Sequence, residues 1–111
     1  MNQNKQQQYA IPENAVVVGL CAGRHDMPVE QFIFPYEVDP TDFEGMKSVA
    51  LDFILDFANP RVGVYSFVVY VTGLTACVAA VISACVQCEV NLTLMHYNRA
   101  TGEYIPQVVL G

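Results

Sequence analysis

The chain has 111 residues, of which 53% are hydrophobic and 14% charged, with a net charge of −6 at pH 7. That length makes one domain with a real core, and the shortage of charge leaves apolar surface after one layer of packing, so a homodimer or higher oligomer is expected. An acidic balance excludes non-specific binding to long nucleic acid, which needs a basic face, but not a small anionic ligand held by a few groups.

Residues 1–10 are rich in Gln and Asn and lack hydrophobic periodicity. They are expected to form a disordered polar tail ahead of a single domain over residues 11–111. No signal peptide is visible in residues 1–8, so a cytoplasmic location and free thiols are the default for Cys21, Cys77, Cys85 and Cys88. Residues 15–20 are a short continuous apolar run that suits a central strand. A polar loop through Gly23, Arg24, His25 and Asp26 follows, and then Phe32, Ile33 and Phe34, where Pro35 points to an edge strand or an extended segment. Thr41 and Glu44 have capping-box spacing, so a helix is expected to start there and to run to Phe57 or Ala58, before Asn59 and Pro60 end it. Its apolar face is read as Val49, Phe53 and Phe57, with Met46, Ala50 and Leu51 nearby and Lys47, Asp52 and Asp56 mostly outside it.

Residues 64–88 contain no charged side chain and change character at Thr72-Gly73-Leu74-Thr75. Before this break the residues are mostly β-branched or aromatic, as in a strand buried on both faces; after it they are small and helix-compatible. A membrane span of about 20 residues is disfavoured by the break, by the poor helix propensity of the first half and by the lack of flanking Lys or Arg. A strand that ends in Thr-Gly-x-Thr and feeds a helix puts backbone N–H groups and two hydroxyls at a helix N-terminus, where the macrodipole favours anions. The plainer reading is a tight turn with Thr75 as N-cap. Cys85 and Cys88 have Cys-x-x-Cys spacing but close the helix rather than open it, so no dipole lowers a thiol pKa there and no redox pair is expected. A zinc site would want two more ligands, for which only Cys21 and two histidines are candidates, so buried structural cysteines are expected, with no metal and no cofactor. Residues 90–97 read as a strand parallel to residues 64–71 through a right-handed βαβ unit, residues 98–102 as a turn, and residues 103–110 as an antiparallel return. The expected fold class is α/β, a small Rossmann-like mixed sheet of about five strands with two helices.

Few cations are present, so their placement is informative. Arg24 and His25 follow the first strand, His96 and Arg99 follow the strand after the second helix, and the Thr-Gly-Leu-Thr turn ends the strand between them in sequence. If these three strands are parallel neighbours, all three loops emerge at the carboxyl edge of the sheet, the usual ligand crevice of open α/β folds. The plainer alternative pairs Arg24 with Asp26 and Arg99 with Glu103 as surface ion pairs of little energetic worth.

A first strand ending in Gly23-Arg24-His25, an apolar strand ending in Thr72-Gly73-Leu74-Thr75 before an apolar helix, and a short strand leading to His96 together resemble a known family over residues 15–97. It is that of the small stand-alone proteins related to CARF domains, the Rossmann-like sensors and ring nucleases of CRISPR defence that bind cyclic oligoadenylates. The Thr-Gly-x-Thr turn is similar to the nucleotide-binding turn of CARF domains, and the Arg-His loop looks like that of the short CRISPR ring nucleases. Ala76 stands where a Lys often follows that turn, and residues 32–34 return as an apolar run rather than as an obvious helix. The resemblance implies a two-fold dimer that receives a cyclic oligonucleotide, with Thr72, Gly73 and Thr75 holding phosphates and Gly23 and Leu74 lining the same site. Arg24 and Arg99 would neutralise charge, and Tyr97 or Tyr104 would stack on a base. It further implies cleavage without a metal by attack of a ribose 2′-OH, with His25 or His96 as general acid or base. The rival reading is a non-enzymatic protein: a sponge for the messenger, or a small subunit whose apolar surface docks on a larger assembly.

Overall fold

Three strands with buried apolar residues form the parallel centre of a single sheet. The computed structural model describes residues 9–23, 27–35, 37–58, 61, 63 and 65–111. Its strands are β1 (Val16–Cys21), β2 (Phe32–Phe34), β3 (Ser66–Tyr70), β4 (Asn91–Asn98) and β5 (Glu103–Leu110), with helices α1 (Phe43–Phe57) after β2 and α2 (Thr75–Cys88) after β3. The strand order is β2-β1-β3-β4-β5; the first four strands are parallel and β5 is antiparallel to β4. This is a Rossmann-like mixed α/β sheet, and of the two readings that Pro35 left open, an edge strand or an extended segment, the short β2 takes the first.

Side chains alternate across a strand, so each strand offers one set to each face. Val18 and Leu20 of β1, Phe67 and Val69 of β3, and Leu92 and Leu94 of β4 join the buried residues of α1 and α2 in one core. Val68 and Met95, next to these in sequence, are buried outside that cluster, on the other face. There the chain's own N-terminal side contributes cover: Tyr9 is half-buried and its hydroxyl donates to Thr93 Oγ1 at 3.2 Å. Between β1 and β2 the described residues form no helix, so both helices lie on a single face and pack on each other. β1 and β2 approach closely at Gly19, where a Cβ would stand 2.5 Å from the Phe32 ring.

Two expectations for α1 need correction. Asp42, not Thr41, is the N-cap: its Oδ1 accepts from the Gly45 amide at 3.0 Å. Thr41 is committed elsewhere, since its amide and hydroxyl both donate to Asp39 Oδ1, at 3.0 and 2.9 Å. The core stripe is Met46, Ala50 and Ile54, spaced four apart, while Val49 stays 42% exposed and Phe53 and Phe57 are half-buried at its flank with ring centroids 4.8 Å apart. Both stripes are apolar, and packing against α2 selects between them. Asp42→Ala is expected to destabilise the fold by about 1 kcal/mol, through loss of the cap bond. Urea unfolding checks this, and an unchanged midpoint would remove the cap from the account.

α2 buries Cys77, Ala80, Val81, Ala84 and Cys85 and ends at Glu89, which takes the left-handed conformation with φ of 58°. No helix among the described residues is long and apolar enough to cross a membrane. The β4–β5 turn closes through Gly102, whose φ of 73° favours glycine, with its amide donating to the Asn98 carbonyl at 2.8 Å.

Candidate functional site

β2 and β3 flank β1 on opposite sides, so the order of connection reverses between β1 and β3. In open α/β sheets such a switch point opens a crevice at the carboxyl ends of the strands. A cleft of about 460 Å³ lies there, lined by Cys21, Ala22 and Gly23 after β1, by Pro35, Glu37 and Val38 after β2, and by Leu74 before α2. Gly23 turns the chain away from β1 with φ of 78°. Sequence reasoning missed the wall of Pro35, Glu37 and Val38 as part of the site. Its signal was present, because every connection leaving a parallel strand starts at the same edge.

The N-terminus of α2 differs from the expected capped turn. Leu74 is the N-cap residue and Thr75 the first residue of the helix, so Thr75 does not cap. Leucine has no polar side-chain atom to offer. The Leu74 amide donates to the Thr72 carbonyl at 2.7 Å and the Cys77 amide to the Leu74 carbonyl at 3.1 Å. The amides of Thr75 and Ala76 are left without an intrahelical acceptor, at the positive end of the helix dipole. Thr72 is 4% exposed, and its hydroxyl has no hydrogen-bond partner among the described residues. Gly73 is exposed, and a Cβ there would meet nothing within 4 Å.

The other sequence-derived candidates fall in three places. Arg24 and His25 lie outside the described residues, as does Asp26. Tyr97 belongs to an aromatic cluster away from the residues that line the cleft. It pairs with Tyr104 across β4 and β5 at 5.3 Å between centroids, and Tyr104 meets Tyr70 edge-on at 4.7 Å. By alternation from Val68 and Met95, this cluster stands on the face opposite the helices. Burial, with Tyr70 and Tyr97 adding to it, raises the Tyr104 hydroxyl above its ordinary pKa. His96 points to the helix-side face by the same alternation, is exposed, and has Nε2 2.7 Å from Gln107 Oε1. With that amide oxygen accepting, the ring proton sits on Nε2. Arg99 is exposed in the β4–β5 turn. The last β3–β4 pair is Tyr70 with Met95, so His96, Tyr97 and Asn98 carry β4 past β3 by on the order of 10 Å, and the two cationic candidates ride on this hairpin arm. The parallel order thus brings Gly23 and Leu74 to one cleft, with Thr72, Gly73 and Thr75 next to Leu74 in sequence, but does not bring His96 or Tyr97 into its lining.

Comparison of the chain with protein-family models, with curated proteins and with solved structures finds no match. Among the described residues no group of three or more His, Cys, Asp or Glu side chains is placed to hold a metal ion.

No disulfide joins any of the four cysteines. Burial, with the Cys88 thiol adding to it, pushes the Cys85 thiol up to about 12, and burial raises Cys88 as well. Such thiols are poor nucleophiles at neutral pH. The unfolded chain ionises a thiol near pH 8.5, whereas the folded chain holds Cys85 neutral to a higher pH. The stability linked to Cys85 is therefore fully present below about pH 8.5 and is lost as pH rises toward the folded value. Folding free energy measured at about pH 7 and about pH 10 is expected to fall less in Cys85→Ala than in the parent; equal losses would contradict the assignment.

Proposed function

We propose that the chain binds a phosphate-bearing nucleotide ligand, a cyclic oligoadenylate, in the crevice between β1 and β3, and that it acts as a homodimer. The observation that carries this reading is the N-terminus of α2. It reaches the switch point through Leu74 with no side-chain cap, no charge of its own, and amides at Thr75 and Ala76 that have no intrahelical acceptor. An anion accepts from such amides and gains from the dipole without any rearrangement of the protein. The cleft volume suits one nucleotide unit better than a whole ring. A two-fold pair of such clefts is what a cyclic messenger needs, and the 53% hydrophobic composition supports self-association. Glu37 in the wall opposes an anion, so the reading needs Arg24 or a partner copy's cation to balance it.

Binding without cleavage is the form the described residues favour. His96 is engaged with Gln107 and stands outside the cleft lining, and among the described residues that line it Glu37 is the one acid–base side chain with a carboxylate or imidazole. Cleavage therefore rests on His25 as general acid or base. Equilibrium dialysis with labelled cyclic oligoadenylates of several ring sizes, followed by separation of products, tests both forms. Retention of an intact ring supports a sponge; a linear product ending in a 2′,3′-cyclic phosphate supports cleavage. Failure to retain any ring at the highest workable protein concentration overturns the reading. A chain that sediments as a monomer at micromolar concentration overturns the dimer.

A further inference from the structure

A second concavity lies on the far side of the wall that bounds the crevice. Between α1 and the connection that leads into it, a groove of about 250 Å³ has an apolar floor of Phe34, Pro35, Val38, Met46 and Val49. Its rim carries Glu37, Asp39 and Asp42, and no Lys or Arg among the described residues lines it. Phe34 and Met46 are core residues seen from outside, each 2% exposed, whereas Val49 is 42% exposed on a helix whose core stripe runs elsewhere. We propose that this groove docks a segment of a partner protein, a short stretch with one or two large apolar side chains flanked by Lys or Arg.

The rim charges choose the occupant. Asp39 and Asp42 each use Oδ1 locally, toward Thr41 and Gly45, and each retains a second carboxylate oxygen for a cation. Glu37 is exposed and has no part in capping the helix. Three carboxylates about an uncharged floor give a negative potential that attracts a basic segment and repels an acidic one. A second copy seated groove to groove is disfavoured as the occupant, because a two-fold pairing would set the Glu37, Asp39 and Asp42 carboxylates of the two rims against one another. Apolar anchors filling the floor would supply affinity, while the rim would set which sequences enter and in which direction. This proposal does not rest on the ligand assigned to the crevice, although Pro35, Glu37 and Val38 face both concavities.

Displayed random peptides of about twelve residues, selected on the immobilised full chain and then measured free by fluorescence anisotropy, test the proposal. Enriched peptides are expected to combine a large apolar residue with neighbouring Lys or Arg, to bind one per chain, and to weaken as salt rises. Val49→Arg and Glu37→Lys are each expected to raise the dissociation constant by about tenfold or more, with far-UV circular dichroism unchanged because both side chains are exposed. Glu37→Gln, the milder change, is expected to fall between parent and Glu37→Lys. Enrichment of neutral or acidic peptides, no enrichment, or indifference to these substitutions overturns the proposal. A parent dimer that Val49→Arg converts to a monomer also overturns it, since a second copy would then cover the groove.

Discussion

Phe67→Ala is expected to destabilise the fold by about 3–5 kcal/mol, the largest effect of a single truncation in this core. Phe67 is 1% exposed and sits in β3 between Val16 of β1 and Leu92 of β4. It belongs to the cluster that joins the sheet to both helices, so truncation leaves a cavity that neighbouring strands cannot close without breaking their register. Against a typical total of about 5–15 kcal/mol, such a loss brings the chain near its folding threshold. Urea unfolding is expected to show a lower midpoint with the slope retained. Val108→Ala, at a side chain 61% exposed on β5, provides the contrast and is expected to change stability by no more than about 0.5 kcal/mol. Similar losses for the two variants would mean that the central packing described above is wrong.

Gly73→Asp is expected to weaken binding of the anionic ligand by roughly ten- to a hundredfold while leaving the fold intact or slightly more stable. A Cβ at Gly73 would meet nothing within 4 Å, and Gly73 is not among the glycines with positive φ, so the new side chain is accepted without strain. Its carboxylate would stand next to the N-cap of α2, where the dipole favours a negative charge by about 0.3–1 kcal/mol. The same charge would occupy the position proposed for a phosphate and repel it. Gly73→Asn has nearly the same shape without the charge and is expected to bind close to the parent. Titration of the two variants with the tightest-binding cyclic oligoadenylate, beside their thermal unfolding without ligand, separates the effects. Equal affinity for the Asp and Asn variants would move the site away from the N-terminus of α2.

The sequence by itself determined the kind and order of the elements except β2, which it left open between an edge strand and an extended segment. The apolar run at residues 15–20, the break at Thr72-Gly73-Leu74-Thr75 and the turn before residue 103 mark β1, the β3–α2 junction and the β4–β5 hairpin, because strand and helix periods are local properties of the chain. Parallel pairing of β3 with β4 was legible too, since a helix between two strands leaves little alternative. From this followed that the loops after β1 and β3 leave the sheet at one edge; the third wall of the cleft there comes from the connection after β2, not from the β4–β5 turn. Tertiary structure decided what local pattern leaves open. Ile54 rather than Val49 lies in the core because α2 packs on that stripe, and α1 and its apolar flank read alike in one dimension. Asp42 caps α1 because Thr41 is drawn to Asp39, a contest between adjacent polar groups that spacing alone does not resolve. Tyr97 and His96 part to opposite faces because alternation separates neighbours on a strand, and β4 outruns β3, so nearness in sequence to the crevice does not become nearness in space. The wall of Pro35, Glu37 and Val38 joins the site for the converse reason: residues far from Leu74 in sequence are brought beside it by the parallel order of the strands that precede them.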